Sequence, residues 1–109
     1  MGQYAIMEGL SIYNATKAAK CSFARTWTVE LKHRKIRVNA VSPGSIDTPI
    51  FNPVMRKEEY EQFKNNVNKA IPMSRMGDPD EVAKAVSFLA SYDSSYITGI
   101  ELFVDGAIA

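Results

Sequence analysis

The chain has a single cysteine and a single histidine. Cys21 has no partner for a disulfide within the chain, and His33 alone cannot build a His-rich cluster or an ordinary Cys/His zinc site. No metal site is expected. Net charge is equally scarce: 13 basic against 12 acidic side chains leave +1, spread along 109 residues. That balance gives no electrostatic reason for nucleic acid or an anionic membrane as a partner. No run approaches the roughly 18 apolar residues needed to span a bilayer. The opening MGQYAIMEG lacks the basic and apolar blocks of a secretory signal. A cytoplasmic setting is therefore expected. With 46% hydrophobic and 23% charged residues, the composition suits a folded chain, enough for one small domain or part of a larger one.

Periodicity supplies the elements. From about residue 11 to residue 34 a long helix is predicted, because Ala15, Ala19, Phe23, Trp27 and Leu31 recur every four positions while Lys20, Arg25, Glu30 and Lys32 lie off that stripe. The small residues Ala18, Cys21, Ser22 and Ala24 leave room for a second helix to approach closely. IRVNAVS, residues 36–42, reads as a buried strand that Pro43-Gly44 ends. SIDTPIFNP follows and cannot be helical throughout. Beyond it, Met55, Tyr60, Phe63 and Val67 alternate with Lys and Glu, the pattern of a surface helix. DPDEVAKAVSFLAS opens with Asp78 as a cap, Pro79 at the first helical position, and Asp80 and Glu81 where the helix dipole favours negative charge. A last strand, IELFV, closes at Asp105-Gly106.

Each strand thus follows a helix, the rhythm of a parallel α/β sheet with right-handed crossovers. Two strands are too few to stand alone. The sequence reads as a piece of a larger fold, with apolar sheet surface that other elements would cover and that otherwise invites association.

Two constellations carry chemistry. A phenol works as a general acid or base near neutrality only if its pKa falls well below the ordinary value of about 10, which a fixed positive charge nearby promotes. Tyr13 and Lys17 lie four positions apart on one helix face and meet that requirement by spacing, although such a pair is common on solvent-facing helix starts. The second is the turn PGSIDTP after the strand VNAVS. Carboxyl ends of parallel strands are where α/β sheets bind ligands, and amides freed there, with the Thr48 hydroxyl, can hydrogen-bond a carboxamide. A plain strand-to-loop turn is the alternative. His33 and Cys21 carry lesser expectations: a cation suited to a helix end and a small packing residue.

YNATK, NAVSPGSIDTP, RMGDPDEVAKAVSFLAS and SSYITGIELFVDGA stand in this order over essentially all 109 residues. In order and separation they resemble the carboxyl-terminal half of the classical short-chain dehydrogenases/reductases. The resemblance implies an α/β fold, the carboxyl-terminal part of a Rossmann-type doubly wound parallel sheet, with residues 1–109 forming half of a single domain and the dinucleotide-binding amino-terminal half absent. It implies NAD- or NADP-dependent interconversion of a carbonyl and an alcohol, the choice of cofactor being set by that missing half. Tyr13 would be the acid/base, and Lys17 the residue that makes the phenol more acidic and holds the nicotinamide ribose. Pro43, Gly44, Ile46 and Thr48 would contact the nicotinamide, Ile46 through its backbone and Thr48 through backbone and hydroxyl. The segment from about Pro53 to Lys69 resembles the mobile cover over the substrate.

Departures from the family pattern are equally legible. Its catalytic serine is expected at or just before Met1; Ser11 lies too close to Tyr13 and reads as a helix-start residue. Ala107 stands where many members have a second glycine. A homo-oligomer, formed through the long helix at residues 11–34 and the carboxyl-terminal strand, is expected. The chain by itself is expected to be inactive. The competing expectation is a catalytically dead fragment that serves only as an oligomerising or partner-binding α/β piece.

Overall fold

The computed structural model describes residues 11–48 and 56–108. In chain order these form helix α1 (Ser11–Glu30), strand β1 (Ala40–Pro43), helix α2 (Lys57–Ala70), helix α3 (Pro79–Ala90) and strand β2 (Glu101–Val104). The strands pair in parallel, Ala40 opposite Glu101 and Pro43 opposite Val104. Three helices and two neighbouring parallel strands agree with the expected α/β arrangement. Pro53 and Met55 of the expected cover lie outside the described residues.

The first helix stops earlier than its periodicity suggests. After Glu30 the chain tightens into a 3-10 turn at Lys32–Arg34, and Lys35 takes a left-handed conformation (φ 55°) that returns its N–H to the Lys32 carbonyl at 3.1 Å. The first strand likewise starts late, because residues 37–39 are tied to the β2 approach largely by side chains. The Val38 N–H donates to Thr98 Oγ1 (3.0 Å), and Asn39 bridges the Ile97 carbonyl and the Ile100 N–H. The Arg37 guanidinium donates to the carbonyls of Ile97, Leu89 and Ser91, so it caps the carboxyl end of α3.

The packed face of α1 is not its large-residue stripe. Cys21 and Ala24 are the buried residues of the helix. Phe23 and Trp27 stack at 5.4 Å between ring centroids, yet remain 52% and 46% exposed. The small face lies toward strands rather than toward a second helix: Thr28 Oγ1 reaches the Val38 carbonyl, and Cys21 reaches Glu101 of β2. Backbones approach where side chains are short, so the aromatic stripe is left outward.

Two closures shape the carboxyl end of the sheet. The Gly44 N–H donates to the Val104 carbonyl at 3.0 Å, extending the ladder by one bond past Pro43. A Cβ on Gly44 would stand 2.6 Å from Asp105 Cβ and 2.8 Å from Asp105 Cα, so the two chains can approach this closely only because position 44 has no side chain. Gly106 and Ala107 both take positive φ, 62° and 73°. That conformation suits a glycine better than an alanine and accounts for the strain that Ala107 accepts.

The start of α3 follows its sequence signals. Pro79 occupies the first turn, and the Glu81 carboxylate accepts the Asp78 N–H at 3.0 Å. The same carboxylate takes two parallel bonds from Arg75, at 2.7 and 3.0 Å. The Arg75 bonds first, and the Asp78 N–H second, hold the Glu81 carboxyl down to about 2.

Two outcomes test this architecture. Gly44→Ala inserts a methyl against backbone that cannot yield and should cost about 1–3 kcal/mol in denaturant unfolding; an unchanged midpoint would contradict the close approach. For Glu81, a depressed folded-state pKa means stabilisation present above its ordinary value of 4.5 and lost as pH falls toward about 2. Glu81→Gln should therefore melt below the unsubstituted chain at pH 6, with the gap closing toward pH 2; parallel melting-temperature profiles by circular dichroism would rule this out.

Candidate active site

Tyr13 and Lys17 occupy the first two turns of α1. The Lys17 ammonium lies over the Tyr13 ring, 5.1 Å from its centroid. Cys21 is one further turn along the same face. Its thiol donates to Glu101 Oε2 at 2.8 Å, and the Ser42 hydroxyl donates to the same oxygen at 2.7 Å. One carboxylate thus joins α1, β1 and β2.

That junction fixes the direction of the helix against the sheet. Thr28, near the end of α1, touches Val38 before β1 starts, whereas Cys21, about two turns earlier, shares the Glu101 carboxylate with Ser42 inside β1. Moving back along α1 therefore moves toward the carboxyl ends of the strands. At 1.5 Å per residue, Lys17 lies about 6 Å and Tyr13 about 12 Å beyond Cys21 along the helix axis. Tyr13, 54% exposed, and Lys17 thus lie on the stretch of α1 nearer the carboxyl ends of the strands. This is the end at which open α/β sheets take ligands.

The bend is held from several sides. Pro43 ends β1 and is exposed. Ile46 forms an isolated parallel bridge with Gly77; the Gly77 N–H donates to the Ser45 carbonyl at 3.0 Å, and the Asp47 N–H to the Gly77 carbonyl at 2.8 Å. Thr48 follows at once and is half-buried. A crevice of about 390 Å³ opens beside the bend, with Ser45, Gly77, Arg75 and Asp105 in its wall. Tyr13 and Lys17 are not among its lining residues. Between the two constellations, Glu101 joins Cys21 of α1 to Ser42 of β1.

Five polar residues that organise this region carry no mark in the spacing of Tyr13 and Lys17 or in the turn at Pro43-Gly44. Glu101 and Ser42 are two. The others are Asp47, Tyr60 and Lys64: the Tyr60 hydroxyl donates to Asp47 Oδ1, and the Lys64 ammonium to Asp47 Oδ2 at 2.9 Å. The phenol and then the ammonium hold the Asp47 carboxyl below its ordinary range, while the carboxylate pushes the Tyr60 phenol and the Lys64 ammonium up. Tyr60 and Lys64 repeat the four-residue separation of Tyr13 and Lys17, a signal present in the sequence. Asp47, 13 residues before Tyr60, carries no such periodic mark.

Residues 1–108 match the family profile described as Enoyl-(Acyl carrier protein) reductase. The chain is 42% identical over 100 residues to a 3-oxoacyl-(acyl-carrier-protein) reductase of Thermotoga maritima, covering 92% of this chain and 39% of that protein. It is 47% identical over 96 residues to the glucose 1-dehydrogenase of Gluconobacter oxydans, covering 88% and 35%. Among solved structures, the ligand-free aldohexose dehydrogenase of Thermoplasma acidophilum superposes with a TM-score of 0.86 at 34% identity, over 94% of this chain and 42% of that one. The chain spans about two-fifths of the length of these relatives. By this match along almost its whole length, and by the α/β geometry that carries it, the chain belongs to the short-chain dehydrogenase/reductase family of oxidoreductases.

Proposed function

We propose that these residues form the acid/base and nicotinamide-facing part of an NAD- or NADP-dependent oxidoreductase that interconverts a small-molecule carbonyl and an alcohol. One observation supports the reading: a phenol and an ammonium one helical turn apart, 5.1 Å from ring centroid to ammonium, on a helix laid against a parallel pair of strands. The relatives named as dehydrogenases and reductases support the same chemistry.

The donor set fits the cofactor. A dinucleotide, when bound, supplies or accepts the hydride at its nicotinamide ring. Lys17 offers an ammonium to ribose hydroxyls, and the backbone at Pro43, Gly44 and Ile46, with Thr48, offers polar groups to a carboxamide. With a dinucleotide bound, Tyr13 would give its proton to the substrate oxygen in the reducing direction, and its phenolate would take the alcohol proton in the oxidising direction. Lys17 stabilises the negative charge that develops on the phenol oxygen. Positioning is the remaining share of the work. Residues 1–109 constitute the carboxyl-terminal half of one domain, the dinucleotide pyrophosphate being held by a separate amino-terminal half. The setting is cytoplasmic, consistent with a lone thiol.

In a polypeptide that joins this segment to a dinucleotide-binding amino half, Tyr13→Phe should lower kcat by about 10²–10⁴-fold with the fold intact by circular dichroism. Unchanged turnover would defeat the acid/base role. The 109-residue chain alone should bind dinucleotide poorly and show no NAD(P)H oxidation; robust turnover by that pure chain would defeat the half-domain reading.

A second reading follows from Phe23 and Trp27, stacked and half exposed on α1. On this reading this face, with β2, makes a homo-oligomer contact, and the segment serves as an oligomerising α/β piece. Sedimentation of the 109-residue chain should show association that Trp27→Ala weakens; a monodisperse monomer with a sharp thermal transition would exclude it.

A further inference from the structure

Helix α2 is held to the fold in an unusual way. None of its residues is buried. Its amphipathic face reaches only half-burial at Tyr60, Phe63, Lys64, Val67 and Asn68. Among the described residues, side-chain hydrogen bonds anchor it near both ends. Near its carboxyl end, Asn68 Oδ1 accepts the Met76 N–H at 3.1 Å, and the helix runs directly into Ile71, only 3% exposed. Near its amino end, Tyr60 and Lys64 grip the two oxygens of Asp47.

Asp47 is itself fixed on its other side. Its N–H donates to the Gly77 carbonyl, next to the Ile46–Gly77 bridge. One residue therefore joins three parts of the chain: the bend by peptide continuity, the approach to α3 by its backbone, and α2 by its carboxylate. Surface ion pairs alone contribute little. Here a phenol and an ammonium from successive turns of one helix bind separate oxygens of one carboxylate, so its torsions are fixed and each bond is charge-assisted. The opposite shifts of Asp47 below its ordinary range and of Tyr60 and Lys64 above theirs agree with that geometry.

We propose that Asp47 is a positioning residue: its carboxylate latches the amino half of α2 to the bend, so that Ile46, Thr48 and α2 are held as one body. The consequence for cofactor contact rests on the nicotinamide-facing reading of the bend; the latch itself does not.

The test separates these two claims. In hydrogen exchange on the 109-residue chain, Asp47→Asn should speed exchange of the Glu61–Asn65 amides about tenfold or more, with much smaller changes at Asn68–Ala70, where the Asn68 anchor persists. Tyr60→Phe and Lys64→Met, which leave the bend sequence intact, should each give a weaker version of the same gradient. An ultraviolet titration should show a tyrosine with a raised pKa that disappears in Tyr60→Phe and moves toward the ordinary value in Asp47→Asn. If Asp47→Asn unfolds the chain, the Tyr60 and Lys64 variants decide; no gradient in any variant overturns the latch. In the polypeptide joined to a dinucleotide-binding half, Asp47→Asn should raise KM for dinucleotide several-fold more than it lowers kcat, with partial rescue by Asp47→Glu. A gradient without that KM effect overturns the positioning role while leaving the Tyr13 chemistry standing.

Discussion

The close approach of Gly44 to Asp105 is the constraint on which the rest of this structure depends. Parallel pairing delivers β1 and β2 side by side over only four residue pairs. Beyond them both chains turn without separating. The Gly44 N–H keeps its bond to Val104, and the missing side chain lets the Asp105 backbone lie where a Cβ would stand. From that point the bend is carried outward and meets Gly77, whose own Cβ position is 3.0 Å from the Ile46 side chain. The strict crowding is at Gly44, against backbone; at Gly77 the neighbour is the end of a side chain.

A second constraint acts on the helix that bears Tyr13 and Lys17. A helix laid on a sheet can slide or rotate when its contacts are apolar and nondirectional. Glu101 removes that freedom, since one of its oxygens takes both the Cys21 thiol and the Ser42 hydroxyl. Hydrogen bonds impose distance and angle, so the register of α1 along β1 is fixed one turn from Lys17. Burial of a lone cysteine looks like simple packing from sequence. Its structural role is to turn a packing contact into a directional one, with no need for a reactive thiol.

How much of this was legible in the sequence depended on whether the signal was local. The α3 start was readable because Asp78, Pro79 and Glu81 each act within one turn of the helix they begin. The Tyr13–Lys17 pair was readable for the same reason, as was the turn at Pro43-Gly44. Burial on α1 was not: the four-residue stripe through Phe23 and Trp27 marks an apolar face, but periodicity cannot say which of two apolar faces a thin sheet will accept. The strand chose Cys21 and Ala24, where the backbone can come close. Strand length at residues 36–39 was blurred because Arg37 and Asn39 spend their side chains on carbonyls and amides across the gap, a partnership with residues about sixty positions away. Asp47 and Glu101 were unreadable in principle, since each acts only through partners that the fold brings in.

The aromatic stripe and the candidate site are consequences of one packing choice. Had α1 turned Phe23 and Trp27 inward, their bulk would have pushed the helix away from β1, and the Cys21 thiol could not have reached Glu101. Placing the small face inward leaves two large rings in water, at a cost of about 25 cal/mol for each Å² of apolar surface left uncovered. A second apolar surface laid on those rings recovers that energy without disturbing the inner face. Association through the outer stripe and chemistry at the inner face are therefore compatible on a single helix, and the small residues between them are what separates the two.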